Sequence, residues 1–172
     1  MELTQELVRR LFEYRDGELY WKTRPRSDFK TDGRHANWNH RYSQKKAGSA
    51  AGKYINVSIK KRRYLAHKLI FLWHHGFVPK IVDHINGGCH DNKIQNLRAA
   101  TATQNLLNAK RAKHNTSGTK NVVWSTQKNK WQVKIGMNRK TKSFGFYEDV
   151  DLAALVAYEV RQLYCGSFAN HG

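Results

Sequence analysis

The spacing of apolar positions changes period several times along the chain, and each change predicts an element. Leu7, Val8, Leu11 and Phe12 recur at helical spacing behind Thr4, a residue suited to cap a first helix. Asp16-Gly17 then turns the chain into a short strand, Leu19-Tyr20-Trp21. From Lys22 to Lys46 neither period persists, and the segment reads as a long basic loop that orders on a partner or stays solvated. Alternation returns at Tyr54, Ile55, Val57 and Ile59. A basic turn, Lys60-Lys61-Arg62-Arg63, leads to a returning strand at Tyr64-Leu65-Ala66. Leu69, Ile70, Leu72 and Trp73 predict a helix over 67–75. Gly76 would end it and Pro79 forbids its continuation.

Ile81 and Val82 lead into Asp83-His84, a Gly87-Gly88 turn, an Asp91-Asn92 pair and an Asn96-Leu97-Arg98 triplet. That triplet opens a run in which Ala99, Ala102, Leu106 and Ala109 form one helical stripe, with Thr101, Asn105 and Asn108 on another face. The polar segment 114–119 breaks both periods. Three strands are expected beyond it, at 120–126, 130–137 and 140–147, with Asn129 and Asn138 at their turns. In the second strand Trp131, Val133 and Ile135 alternate with Lys130, Gln132 and Lys134. One face is therefore apolar, with Trp131 in the core, and the other is basic. A helix over 150–164 follows, its small alanines suited to lie close on the sheet. The fold class is α+β.

Charge changes the picture more than size does. With 31 Lys and Arg against 13 Asp and Glu, the 172-residue chain carries +18, which points to a polyanionic partner, nucleic acid first. Between Lys22 and Lys80 there are fifteen basic residues against Asp28 and Asp32. The segment Lys120 to Lys142 carries seven basic residues and no acid, and the acids Glu148, Asp149, Asp151 and Glu159 gather at the last helix. No apolar run is long enough for a membrane span, and no secretory signal is visible. Cys89 and Cys165 are far apart, which fits a reduced cytoplasm and gives no spacing for structural zinc.

The stretch 81–108 carries the candidate chemistry. It resembles the HNH nuclease family, whose site is a β-hairpin and a helix around one divalent metal. The matching features are the Asp83-His84 pair, the glycine turn, the Asn96-Leu97-Arg98 triplet and Asn105, which stands where many members have a last histidine. The layout from the first helix onward is similar to free-standing phage members. The resemblance implies that His84 is the general base, that Asp83 and Asn105 are metal ligands, and that Asn96 braces the hairpin loop. It also implies one divalent ion, Mg2+ with Mn2+ able to substitute. The residue types agree, since imidazole can activate water near neutral pH and a hard cation prefers oxygen ligands. Adjacent strand residues point to opposite faces, so Asp83 and His84 can share a site only if the strand bends or ends there. His67 reads as a packed structural histidine, and His90 as a solvated loop residue.

Residues 116–170 resemble the DNA-binding domain of plant ethylene-response factors. The resemblance rests on Ser117-Gly118, Val122, Trp124, Lys130-Trp131, Ile135, Phe144-Gly145, Tyr147, the Ala153-Ala154…Ala157-Tyr158 run, Gly166 and Phe168-x-Asn170. It implies a three-stranded sheet in the major groove. Asn121, Val123 and Ser143 depart from that pattern, so no base code carries over.

The expected organisation is a nuclease domain at 1–113 (core motif 81–108), a linker at 114–119 and a DNA-binding domain at 120–172. The expected function is a metal-dependent DNA endonuclease of the homing type, phage-encoded and working in the host cytoplasm. Its substrate is double-stranded DNA, bound as a monomer or a DNA-induced dimer. Expected DNA contacts are Lys60, Lys61, Arg62, Arg63, Lys120, Lys128, Lys130, Lys134 and Lys142. A DNA-binding regulator with an inactive nuclease module and a non-specific HNH nuclease are the alternatives.

Overall fold

The computed structural model describes residues 3–137 and 140–171. Asn138, expected at a turn, lies outside them. The chain divides into two compact units, Met1–Ala99 and Ala100–Gly172.

The first unit begins with α1 (Gln5–Leu11). The Thr4 hydroxyl accepts from the Leu7 amide at 3.2 Å, so one of the orphan donors of the first turn is satisfied. Phe12 does not extend this helix. It opens β1 (Phe12–Arg15), which pairs antiparallel with β2 (Glu18–Trp21). At the Asp16-Gly17 turn both residues have positive φ, 42° and 91°. A Cβ on Gly17 would meet the Lys93 amide nitrogen at 2.9 Å, so glycine is needed there for space as well as conformation.

The segment expected as a loop over 22–46 is instead ordered. It holds a short 3-10 turn at Arg26–Asp28 and a helix, α2 (Asp32–Tyr42), capped by the Thr31 hydroxyl. No residue of α2 is fully buried, and this is why its sequence shows no stripe. It is held by aromatic and polar contacts instead. Trp38 meets Trp21 edge-on with centroids 5.4 Å apart. The Asn39 carboxamide both donates to and accepts from the Arg24 backbone, each at 3.0 Å.

A three-stranded sheet follows, in the order β3 (Ser49–Ala51), β4 (Tyr54–Ile59), β5 (Arg62–Leu65). Its tip is Lys60-Lys61, both at positive φ. Helix α3 (Ala66–His75) stops at Gly76, whose φ of 78° supplies the left-handed cap. Leu69, Ile70, Phe71 and Leu72 of α3 pack with Val8, Phe12, Leu19 and Val57 into one core, which Val82 and Leu97 also join. These last two residues bring in the hairpin strands β6 (Ile81–His84) and β7 (Leu97–Ala100).

The helix expected from the Asn96-Leu97-Arg98 triplet is thus corrected. Leu97 to Ala100 are strand, and α4 covers only Ala102–Leu107. Thr101 sets the boundary. Its hydroxyl accepts from the Gln104 amide while the Gln104 side chain returns to the Thr101 amide, a reciprocal cap that starts a helix at this point.

The second unit contains α4, the antiparallel sheet β8 (Val122–Ser125), β9 (Lys130–Met137), β10 (Lys140–Tyr147), and α5 (Val150–Cys165). Strand β9 is central. Ala153 and Ala157 of α5 are fully buried with Val122 and Val133. Asp149 caps α5 by accepting from the Asp151 and Leu152 amides.

Candidate active site

Strand β6 ends at His84, and the chain turns at once: the Gly87 amide donates to the His84 carbonyl at 2.9 Å. The hairpin closes where the Ile85 amide donates to the Asn96 carbonyl. The Asn96 carboxamide spans the loop. Its oxygen accepts from the Asn86 amide at 3.0 Å, and its nitrogen donates to the Asn86 Oδ1 at 3.0 Å and to the Asp91 carbonyl at 2.7 Å. Asn86 in turn bonds the Asp91 carboxylate and the Gly88 amide.

Asp83 and His84 are both buried, but different neighbours engage them. The Arg98 Nε of β7 donates to Asp83 Oδ2 at 2.8 Å, forming an ion pair largely shielded from water. His84 lies among rings. His67 of α3 meets it edge-on with centroids 5.0 Å apart, and Tyr54 of β4 lies nearly parallel at 6.3 Å. Its Nε2 is 2.9 Å from Asn92 Oδ1, and Asn92 is itself buried. An amide oxygen can only accept, so Nε2 is the ring nitrogen that donates in this contact. Burial, reinforced by neighbouring His84 and Lys68, holds His67 down at about 4.

The roles of Asn92 and Arg98 were not assigned from sequence, although both lie in the motif. Asn105 lies on α4 in the second unit and is exposed. His90 is exposed in the loop.

A hard divalent ion such as Mg2+ prefers oxygen donors. Among the described residues, no group of three or more His, Cys, Asp or Glu side chains is placed to hold a metal ion. The Asp83 carboxylate is of a type that suits a hard cation keeping much of its shell as water or phosphate oxygen.

The candidate DNA contacts separate by environment. Lys60, Lys61, Arg62 and Arg63 are all exposed at the β4–β5 tip. In the second unit, Val133 and Ile135 face α5, so Lys130, Gln132 and Lys134 occupy the opposite face of β9. Lys128 is exposed in the preceding turn. Lys130 pairs with Glu148 at 3.1 Å.

Two lysines lie elsewhere. Lys142 is registered opposite Ile135 and so shares the helix side, where its Nζ donates to the Tyr164 hydroxyl at 3.0 Å. Lys120 turns its Nζ inward to the Leu107 and Ala109 carbonyls, and burial pushes its amine down. Trp131 is half-buried, packs against the second core and meets Trp124 edge-on at 5.0 Å. Arg161 of α5 is 2% exposed, and its guanidinium reaches the Lys120 carbonyl and His171.

Residues 64–107 match the family described as HNH endonuclease. The chain is 32% identical over 97 residues to protein 3.8 of Escherichia phage T7, covering 55% of this chain and 79% of that protein. No solved structure matches the chain. No helix among the described residues is long and apolar enough to cross a membrane.

Proposed function

Because the chain belongs to the HNH endonuclease family, we propose that it is a metal-dependent DNA endonuclease of the homing type, cutting at or near a recognised duplex site. In this reading the His84 lone pair takes a proton from water. The resulting hydroxide attacks phosphorus, the P–O bond to the leaving sugar oxygen breaks, and that oxygen takes up a proton from solvent. Asp83 and Asn105 would hold the divalent ion, which when bound stabilises charge on the phosphate and leaving oxygens. Asn96 braces the loop between the two strands. The observation that carries this reading is a histidine at a strand end whose ring is fixed by an uncharged acceptor, beside a buried carboxylate, inside the matched segment.

The reading assigns cutting to residues 1–113, a linker to 114–119, and site selection to an ethylene-response-factor-like module at 120–172. The outer face of β9, with Lys130, Gln132 and Lys134, supports groove contact, because lysines hold phosphate and amides can read base edges. The test is to incubate phage genomic DNA with wild type and His84→Ala, with Mg2+ or with chelator, and to map ends at nucleotide resolution. Metal-dependent ends at one defined site, lost in His84→Ala, support the whole reading. Ends scattered over many sites reject homing, and no ends in any divalent metal reject the nuclease.

A further inference from the structure

The first unit contains a cavity of about 540 Å³ that the nuclease chemistry does not use. It lies between α1, α2 and the β3–β4 strands. Its lining includes the apolar side chains of Leu7, Leu11 and Ile59 and the rings of Trp21, Trp38 and Tyr42. Arg10, Arg24, Lys46 and Lys60 also line it; Arg10 and Arg24 pair with Asp28, and Lys46 with Glu18, but among the described residues no carboxylate is itself part of the lining. The rings hold one another: Trp38 sits 5.4 Å from Trp21 and 5.3 Å from Tyr42. The Arg24 guanidinium lies over the Trp38 ring at 5.0 Å and is anchored by Asp28 at 2.9 Å. The polar side chains of Ser49, Asn56 and Ser58 complete the lining.

We propose that this cavity takes one nucleotide of a DNA strand whose base has left the stack, with the base against the Trp38 and Tyr42 rings and its phosphates on the cationic rim. The inference rests on the DNA-nuclease reading and adds a substrate state to it. Four chemical features agree. The volume is in the range of small-ligand sites. Aromatic rings accept any nucleobase by stacking. Lys60, with Arg10 and Lys46 whose exposed ion pairs exchange readily for phosphate, favours a phosphate over a neutral ring compound. Amide and hydroxyl groups can bond the exposed base edge, as pockets for extruded bases do. The same logic explains a helix with no buried residue. α2 spends its aromatic side on a cleft rather than on the core.

The test uses the full chain in chelator, so that no cutting occurs. Two duplexes of one sequence are compared, one fully paired and one with a single 2-aminopurine opposite an abasic site. Wild type should bind the second about tenfold more tightly, with a change in 2-aminopurine emission on binding. Trp38→Leu and Tyr42→Leu should lose that preference while holding the paired duplex within about twofold of wild type. Tyr42 is partly exposed, so its variant retains the fold if Trp38→Leu does not, and thermal melts identify which variant is informative. The proposal is overturned if wild type binds both duplexes equally, if a variant melting like wild type keeps the preference, or if free dAMP occupies the cavity and the strand does not. Failure of the nuclease reading appears separately, as absence of metal-dependent ends on paired DNA, and leaves the binding preference measurable.

Discussion

His84 Nε2 lies 2.9 Å from Asn92 Oδ1, with His84 only 5% and Asn92 only 2% exposed. The bond fixes the orientation of the ring, with Nε2 as the donor. Asn92→Leu removes the acceptor and leaves a buried N–H unsatisfied, a cost of about 1–3 kcal/mol. The expected outcome is a fall in kcat of about tenfold to a hundredfold with little change in KM for DNA. Asn92→Asp keeps an oxygen at the same place and should retain most of kcat. Equal losses in both variants would mean that the contact merely packs the loop.

His84→Ala should lower cleavage by about a hundredfold to ten-thousandfold while leaving duplex binding nearly unchanged. Gel-shift affinity and single-turnover cleavage, measured on the same preparation, separate the two. Near wild-type turnover would remove His84 from the mechanism.

Asp83 and Asn96 should fail in different ways. Asp83→Ala takes the carboxylate away from the shielded Arg98 guanidinium, and breaking such a pair costs about 3–5 kcal/mol. Asp83→Asn keeps a hydrogen-bonding oxygen, so it should melt closer to wild type and still lose metal-dependent cleavage. Asn96→Ala removes the three bonds that tie Asn86 and Asp91 together, so melting temperature and activity should fall together. A variant that melts like wild type but needs much more metal would make Asn96 a ligand rather than a brace.

Much of this was legible in the sequence where one residue decides the local backbone. Gly76 ends α3, and the Trp131, Val133, Ile135 alternation marks the inner face of β9. Helix α2 was not legible, because its anchors are Trp38, Asn39 and Tyr42 on an otherwise polar segment, and their partners, the Trp21 ring and the Arg24 backbone, sit upstream at no helical spacing. The strand at Leu97–Ala100 was hidden for the opposite reason. Its alanines continue the helical spacing of α4, and only the reciprocal cap between Thr101 and Gln104 divides the two. The motif marked His84, but its contacts with Asn92 and His67 depend on the folded loop and on α3.

The acid limb of stability should carry a signature of His67. Its pKa is lowered from 6.5 to about 4, first by burial and then by His84 and Lys68, with the Tyr54 ring also packed on it. A lowered histidine pKa means that the unfolded chain binds the proton more readily. The stabilising difference is therefore full above about 6.5, shrinks as pH falls, and is gone below about 4. The whole step is worth about 3 kcal/mol. His67→Phe should flatten that part of the curve, which denaturant melts from neutral pH down to pH 4 would read as a smaller difference between the two ends. An unchanged slope would show that His67 titrates normally.

The two faces of the second sheet give the last prediction. Lys130 and Lys134 share the outer face of β9, whereas Lys142 is turned to the helix side, over Phe144 and against the Tyr164 hydroxyl. The Lys130–Glu148 pair is exposed, and such a pair exchanges readily for phosphate. Lys130→Gln with Lys134→Gln should weaken duplex binding and reduce the slope of log affinity against log salt by about 2. Lys142→Gln should leave that slope unchanged and instead lower thermal stability slightly, through the lost ring contacts. Arg161 is unsuitable as the helix-side control because it is buried, and its replacement would disturb folding. Cutting the chain at residue 116 is equally unsuitable, since the compact second unit begins at Ala100. The measurement is affinity for the specific and a scrambled duplex at several salt concentrations. If Lys142→Gln changes the slope as much as the double variant does, the helix side of the sheet meets DNA, and the outer face of β9 is not the reader.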